Sequence, residues 1–141
     1  MMHYIRQNMQ ERINIRYLRT RSGDEIQMDE QKLKAAGIDY KSAIERFADN
    51  QVLYEKYLLR FETDTHCKDA MAALEEQNYD EVLAQVHALK GMVGTLGMMK
   101  YYQVCQDVVD ALRAKKYDAI AGLMEKVQEE QVRIQQIYKD E

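Results

Sequence analysis

The sequence predicts an all-α protein, an antiparallel up-and-down four-helix bundle with a short extra N-terminal helix and an N-terminal arm of uncertain structure. Proline is absent and only six of the 141 residues are glycine, so few residues interrupt a helix. From Gly37 onward, apolar residues recur at spacings of three and four, which is the period of an amphipathic helix. The predicted helices are joined by short connections, which favour antiparallel neighbours.

The composition narrows the class of partner. The chain is 46% hydrophobic and 31% charged, with a net charge of -4, which is typical of a soluble folded domain and unfavourable for general binding to nucleic acid. No apolar run is long enough to cross a membrane, which needs roughly 18 residues. Cys67 and Cys105 have no second ligand at metal-binding spacing, so we interpret them as buried or idle thiols. We therefore expect a cytoplasmic protein that binds neither nucleic acid nor a membrane.

The first segment, residues 1–36, is predicted to be an arm or linker. Ile13, Ile15 and Tyr17 alternate as in a strand, whereas Ile13 and Tyr17 also continue a helical stripe that starts at Ile5. A Ser-Gly-Asp turn signal follows, so both a small hairpin and a helix with a linker remain open. Residues 1–21 carry five arginines and a single glutamate, and we interpret these arginines as solvent-facing charges.

The bundle domain is predicted to span residues 37–141. It begins with a short helix from Tyr40 to Ala48, whose apolar residues share one face. Four long helices are predicted from about Gln51 to Gln77, Tyr79 to Met98, Lys100 to Lys115 and Tyr117 to Tyr138.

Two kinds of turn signal separate these helices. Asn50 and Asn78 are predicted N-caps, and Glu81 completes the pattern of a capping box with Asn78. The pattern Leu-x4-Tyr-Asp occurs twice, once ending in Tyr79-Asp80 and once in Tyr117-Asp118. We interpret the repetition as shared turn chemistry and not as an ancestral repeat.

The helix that starts at Tyr79 carries the only segment with evident chemistry. With about 100° of rotation per residue, one face forms the core stripe of Val82, Val86, Leu89, Val93 and Leu96. His87 points away from this stripe. On its side of the helix lie Leu83 and Ala84 before it, Lys90 and Gly91 after it, and Gly94 and Met98 further along.

Three glycines fall within seven residues of this helix, although each costs roughly 0.8–1 kcal/mol relative to alanine inside a helix. Close approach of another backbone or surface is the usual reason for such a choice. Gly91 and Gly94 lie on the side of His87, where they would let a partner surface reach the imidazole. Gly97 points elsewhere, and we interpret it as a position for helix packing.

His87 and Lys90 suit a phosphoryl group. An exposed imidazole is largely neutral at pH 7 and offers a ring nitrogen lone pair for nucleophilic attack. Lys90 follows one turn later, and at about 4 Å its attraction for an anion on the ring is roughly 1–4 kcal/mol per unit charge. The pattern therefore favours a phosphorylatable histidine, whereas an isolated surface histidine is usually only a solvated residue.

The sequence resembles the histidine-containing phosphotransfer (HPt) domain family over roughly Ile38 to Tyr138. The motif His-x-x-Lys-Gly, with a further glycine six residues on, is matched by His87, Lys90, Gly91 and Gly97. The resemblance implies a four-helix bundle without catalytic machinery of its own. It also implies that His87 exchanges a phosphoryl group with the aspartates of receiver domains, and that a hybrid histidine kinase is a further candidate partner. No cofactor is expected in this chain, since the receiver would supply Mg²⁺.

One position departs from the family. Many members carry Gln or Glu where this sequence has Val109, and that side chain can orient the imidazole. Nearby polar candidates for this role are Gln106, Asp107, Asp110 and Arg113. The sequence does not choose among them.

Other readings of the chain are weaker. The pair Glu62 and His66 is interpreted as a solvated helix face, because di-metal bundles need further ligands. No phosphate-binding loop or kinase signature occurs, so autophosphorylation from ATP is not expected. Two rivals remain open: a helical adaptor that binds a receiver or kinase without being phosphorylated, and a structural or dimerising bundle.

Overall fold

The computed structural model describes residues 33–138, and within that range every regular element is helical. The helices are α1 (Tyr40–Arg46), α2 (Gln51–Phe61), α3 (His66–Glu75), α4 (Tyr79–Thr95), α5 (Met99–Arg113) and α6 (Ile120–Gln135), and 3₁₀ turns at Tyr117–Ala119 and Gln136–Tyr138 flank α6. The all-α prediction is confirmed. The predictions made for residues 1–32 lie outside the described residues.

Four helices form a ring in which neighbours in the chain are also neighbours in space. α3 packs on α4, α4 on α5 and α5 on α6, while α3 also contacts α6 and so closes the ring. Short connections and sequential packing are typical of an up-and-down bundle. None of the described helices is both long and apolar enough to cross a membrane.

The core is lined by large side chains of α2, α4, α5 and α6 and of the segment before α1, while α3 contributes small residues. Leu33 and Ile38 are both buried in it, so the packed core includes a residue ahead of the predicted domain start at residue 37. The guanidinium of Arg133 donates to the carbonyl oxygen of Ala36 and to the buried carboxylate of Glu130. The bond to Ala36 ties the segment before α1 to α6, and the bond to Glu130 lies within α6.

The prediction of one helix from Gln51 to Gln77 is wrong, because the chain breaks at residues 62–65 into α2 and α3. Polar side chains at the break compete for the backbone groups of the helix. The hydroxyl of Thr63 donates to the carbonyl oxygen of Arg60 at 3.3 Å. The carboxylate of Asp64 accepts from the backbone N–H of His66 at 3.0 Å and from its ring Nδ1 at 2.8 Å. These bonds end α2 and start α3.

The end of α4 also differs from the prediction, which extended this helix to Met98. The helix stops at Thr95, and Gly97 adopts the left-handed region with φ of +83°. The N–H of Met98 then donates to the carbonyl oxygen of Val93 at 2.9 Å, a closure typical of helix C-termini. A Cβ on Gly97 would lie 2.7 Å from the carbonyl oxygen of Asp39. Gly97 therefore serves both the turn and the close approach of the segment before α1.

The repeated Leu-x4-Tyr-Asp phrase has the same structural cause at both places. Gln77 and Lys115 each take a left-handed conformation, with φ of 55° and 59°. In each turn the next N–H donates back across the end of the preceding helix, from Asn78 to Ala73 and from Lys116 to Ala111, both at 2.9 Å. The two turns lie side by side, since the rings of Tyr79 and Tyr117 stack with centroids 4.6 Å apart. The prediction of shared turn chemistry is confirmed.

Candidate functional site

The helix that carries His87 is fixed at its start by an N-cap. The side chain of Asn78 accepts from the N–H of Glu81 at 3.2 Å, as predicted for the first half of a capping box. The carboxylate of Glu81 instead accepts from Gln85 at 2.7 Å, and the N–H of Asn78 is taken by the turn described above. The capping box is therefore one-sided.

The predicted core face of α4 is confirmed. Val82, Val86, Leu89 and Val93 are fully buried, and Leu96 is 3% exposed. His87 lies on the opposite side, with an exposed side chain. The same periodicity that buries the valines thus presents the imidazole to solvent.

Lys90 lies one turn beyond His87 and is drawn towards α5. Its ammonium donates to Oε1 of Gln106 at 3.0 Å and lies 5.9 Å from the centre of the Tyr102 ring. The Lys90 side chain is half-buried, unlike that of His87. The structure therefore places a positive charge beside the exposed face of α4, held by two residues of the neighbouring helix.

The glycines of α4 differ in what surrounds them. A Cβ on Gly91 would meet nothing within 4 Å, so this position is open to an approaching surface. A Cβ on Gly94 would lie 2.9 Å from Cδ1 of Tyr102, so the space beside Gly94 is already filled from α5. Gly94 therefore makes room for packing within the chain, and the prediction that it gives clearance for a partner is wrong.

The predicted docking residues are only partly brought together. Leu83 is half-buried and Ala84 is exposed, one turn before His87. Met98 is 1% exposed and belongs to the core, so its prediction as a docking residue is wrong. The projection that placed it beside His87 assumed that α4 continues to residue 98, whereas the left-handed turn at Gly97 carries Met98 inward to pair with Ile38.

Val109 is fully buried in the core, and its apolar side chain offers no hydrogen bond to the imidazole. Three of the four polar candidates are engaged with other groups: Gln106 bonds to Lys90 and Asp110, and Asp107 bonds to Gln103. None of these bonds involves the ring of His87. The role of Gln106 was open in the sequence, because a contact between helices cannot be read from spacing along one of them.

A groove of about 880 Å³ lies beside the site, between α4 and α2. One wall is formed by Ala88, Gly91, Met92 and Thr95 of α4, and the other includes Leu53, Tyr57 and Phe61 of α2. Tyr57 remains 41% exposed. Sequence analysis missed this groove because it arises from the break between α2 and α3.

The two cysteines and His66, which are the remaining candidate residues, are held within the fold. Cys67 and Cys105 are free and buried, and burial raises the pKa of Cys105 to about 12. His66 is held by Asp64 at the start of α3. Among residues 33–138, no group of three or more potential ligands is placed to hold a metal ion.

The chain matches a known protein family. Residues 58–137 match the family described as the Hpt domain, which is more than half of the chain. This range contains α4, with His87 and Lys90, and α5 with Gln106. No curated protein and no solved structure matches the chain.

Proposed function

The chain belongs to the Hpt domain family, which gives it a histidine phosphotransfer role in a phosphorelay, and on that premise we propose that His87 carries the phosphoryl group. Hpt domains are phosphoryl carriers that work with receiver domains and histidine kinases. The observation that supports His87 is its exposed imidazole, one turn from Lys90, on the face of α4 opposite the buried valines. His66, in contrast, is held by Asp64 through its ring.

The proposed reaction exchanges the group between His87 and the aspartate of a receiver domain. A ring nitrogen of neutral His87 attacks the phosphorus of the aspartyl phosphate. The new P–N bond forms as the P–O bond breaks, and the aspartate leaves as a carboxylate. Transfer to a second receiver reverses these steps, so no oxidant, reductant or nucleotide is consumed.

Lys90 and Gly91 serve this exchange in different ways. The ammonium of Lys90 stabilises the charge of the phosphoryl group, because charge-assisted hydrogen bonds to phosphate oxygens are stronger than neutral ones. Gly91 leaves the surface open, with no atom near the position of a missing Cβ. The groove beside it, with the exposed Tyr57 on its far wall, extends the surface on which a receiver docks. Leu83 and Ala84 border the same site from the turn before His87.

In this proposal the chain is a carrier and not an enzyme. The partner receiver supplies the acidic pocket and the Mg²⁺ that neutralises the phosphoryl charge during transfer. The chain's own contribution is to present the nucleophile, one cation and an unobstructed surface.

The proposal is tested by transfer from a panel of phosphorylated receiver domains to the full chain. Wild type is expected to acquire an acid-labile label from at least one receiver, and His87→Gln is expected to acquire none. His66→Gln is the matched control, because it removes the other described histidine and should retain the label. Labelling of His87→Gln would overturn the assignment.

The adaptor hypothesis predicts a different pattern. An adaptor would bind a receiver without taking a label, and His87→Gln would bind as tightly as wild type. Binding measured by calorimetry beside the transfer assay separates the two functions.

A further inference from the structure

The ammonium of Lys90 is oriented by α5 rather than by its own helix. Its partner, Oε1 of Gln106, lies 3.0 Å away on the facing helix, 16 residues along the chain. The face of Tyr102 provides a second contact at 5.9 Å. Both partners leave the positive charge intact, since neither is an anion.

A second bond sets the orientation of the Gln106 amide. Its Nε2 donates to Oδ1 of Asp110 at 2.8 Å, so its oxygen faces Lys90. The flipped amide would place an NH₂ group against the ammonium and an oxygen against the carboxylate, and both contacts would be repulsive. The three side chains therefore form a directed chain from Lys90 through Gln106 to Asp110.

The neighbouring pair on α5 shows that the spacing alone does not create this arrangement. Nε2 of Gln103 donates to Oδ1 of Asp107 at 3.1 Å with the same separation of four residues. Gln103 is exposed, whereas Gln106 is half-buried, and Lys90 bonds to Gln106 alone of the two. Gln103 thus offers an internal control for any effect of removing a glutamine–aspartate pair from this helix.

We propose that Gln106 is a positioning residue that holds the ammonium of Lys90 ready for the phosphoryl group on His87, an inference that rests on the proposed function. An ammonium has three donors, so one bond to Gln106 leaves two for phosphoryl oxygens. The neutral amide fixes the direction of the side chain without cancelling its charge. The carboxylate of Asp110 acts indirectly, because it orients the amide of Gln106 and does not itself pair with Lys90.

The functional test compares Gln106→Met with Gln103→Met in single-turnover transfer from a phosphorylated receiver. Methionine has nearly the same length as glutamine but lacks the amide. Gln106→Met is expected to lower the transfer rate at saturating receiver by roughly three- to tenfold, which is the effect of losing one hydrogen bond of ordinary net strength. The affinity for the receiver should not change, and Gln103→Met should behave as wild type.

A double-mutant cycle separates positioning from general destabilisation. In a Lys90→Ala background, Gln106→Met should have no further effect on the rate, because the group that it positions is gone. The ¹³Cε–¹H signals of Lys90 give a readout without phosphotransfer: they should shift in Gln106→Met and not in Gln103→Met.

The outcomes distinguish the two proposals. An equal loss with and without Lys90, or equal effects of Gln106→Met and Gln103→Met, would overturn the role of Gln106 while leaving His87 as the carrier. Absence of any label on wild type would overturn the proposed function and with it this role, and the Lys90 signals would then show whether the contact itself exists.

Discussion

The phenolic oxygen of Tyr54 donates to the carbonyl oxygen of Leu96 at 2.7 Å, with both residues buried. Leu96 is the C-cap of α4, and the last carbonyls of a helix have no partner within it. The bond therefore anchors the end of the His87 helix to α2, across the side of the bundle that holds the groove.

Tyr54→Phe is expected to lower the free energy of unfolding by about 1–3 kcal/mol, because it leaves a buried carbonyl without its donor. Tyr57→Phe is the matched control one turn later in α2. Tyr57 is 41% exposed, so its loss should change stability by less than about 0.5 kcal/mol. Urea unfolding of both variants measures the difference, and equal effects would show that the Leu96 bond contributes nothing.

Two glycines of the α4 region should respond unequally to alanine. Gly97→Ala forces a side chain into a left-handed conformation and against the carbonyl oxygen of Asp39, which costs at least roughly 1–3 kcal/mol. Gly94→Ala meets only the ring of Tyr102, which is half-buried and can shift. Thermal unfolding should give a clearly lower melting temperature for Gly97→Ala than for Gly94→Ala. An equal loss of stability at the two positions would contradict this description of the turn.

Substitution of Gly91 by leucine should change stability and phosphotransfer in opposite directions. A leucine there replaces glycine in a helix and should raise the free energy of unfolding by up to about 1 kcal/mol, since the position is open. The same side chain would project into the proposed docking surface for a receiver, so transfer to His87 should fall at least tenfold through weaker binding. A Gly91→Leu protein that is stable and fully active would argue against docking at this face.

The buried thiols and phenols predict a loss of stability at alkaline pH. Burial raises the pKa of Cys105 to about 12 and raises those of Tyr54 and Tyr101 well above their usual range. Unfolded thiols and phenols ionise at about 8.5–10, so above that pH the unfolded state binds fewer protons than the folded state. Stability is then full below the unfolded pKa and falls as pH rises towards the folded values.

The slope of the free energy of unfolding against pH measures this effect. Each such group lowers the free energy of unfolding by up to about 1.4 kcal/mol per pH unit. Urea titrations from about pH 8 upward should show the fall, and Cys105→Ala should make it shallower. A stability that rises over the same interval would contradict the burial of these groups.

The face of α4 could be predicted from sequence, whereas its end could not. The buried valines of α4 recur with the period of a helix, and the same period places His87 on the exposed side of that helix. Met98 was misplaced because the same period was continued through Gly97, where the backbone turns left-handed. A periodic pattern does not show where the helix that carries it stops, unless the closing turn is recognised.

The break between α2 and α3 illustrates a second limit. The apolar stripe continues through it, from Phe61 to Cys67 and Ala70, and all three are buried. The signal that was available lies in the polar run at residues 63–65, in which Thr63 and Asp64 bond to nearby backbone groups and Thr65 bonds to the side chain of Asp69. The contact of Lys90 with Gln106 shows the third limit, because it depends on the rotation of two helices about their axes.

The central claim is that His87 carries the phosphoryl group, and site mapping tests it most directly. The full chain is mixed with a phosphorylated receiver, digested at alkaline pH to preserve phosphohistidine, and sequenced by tandem mass spectrometry. The account predicts the phosphoryl group on His87 and on neither His3 nor His66. A phosphoryl group on any other residue, or an unmodified chain that binds the receiver, would contradict it.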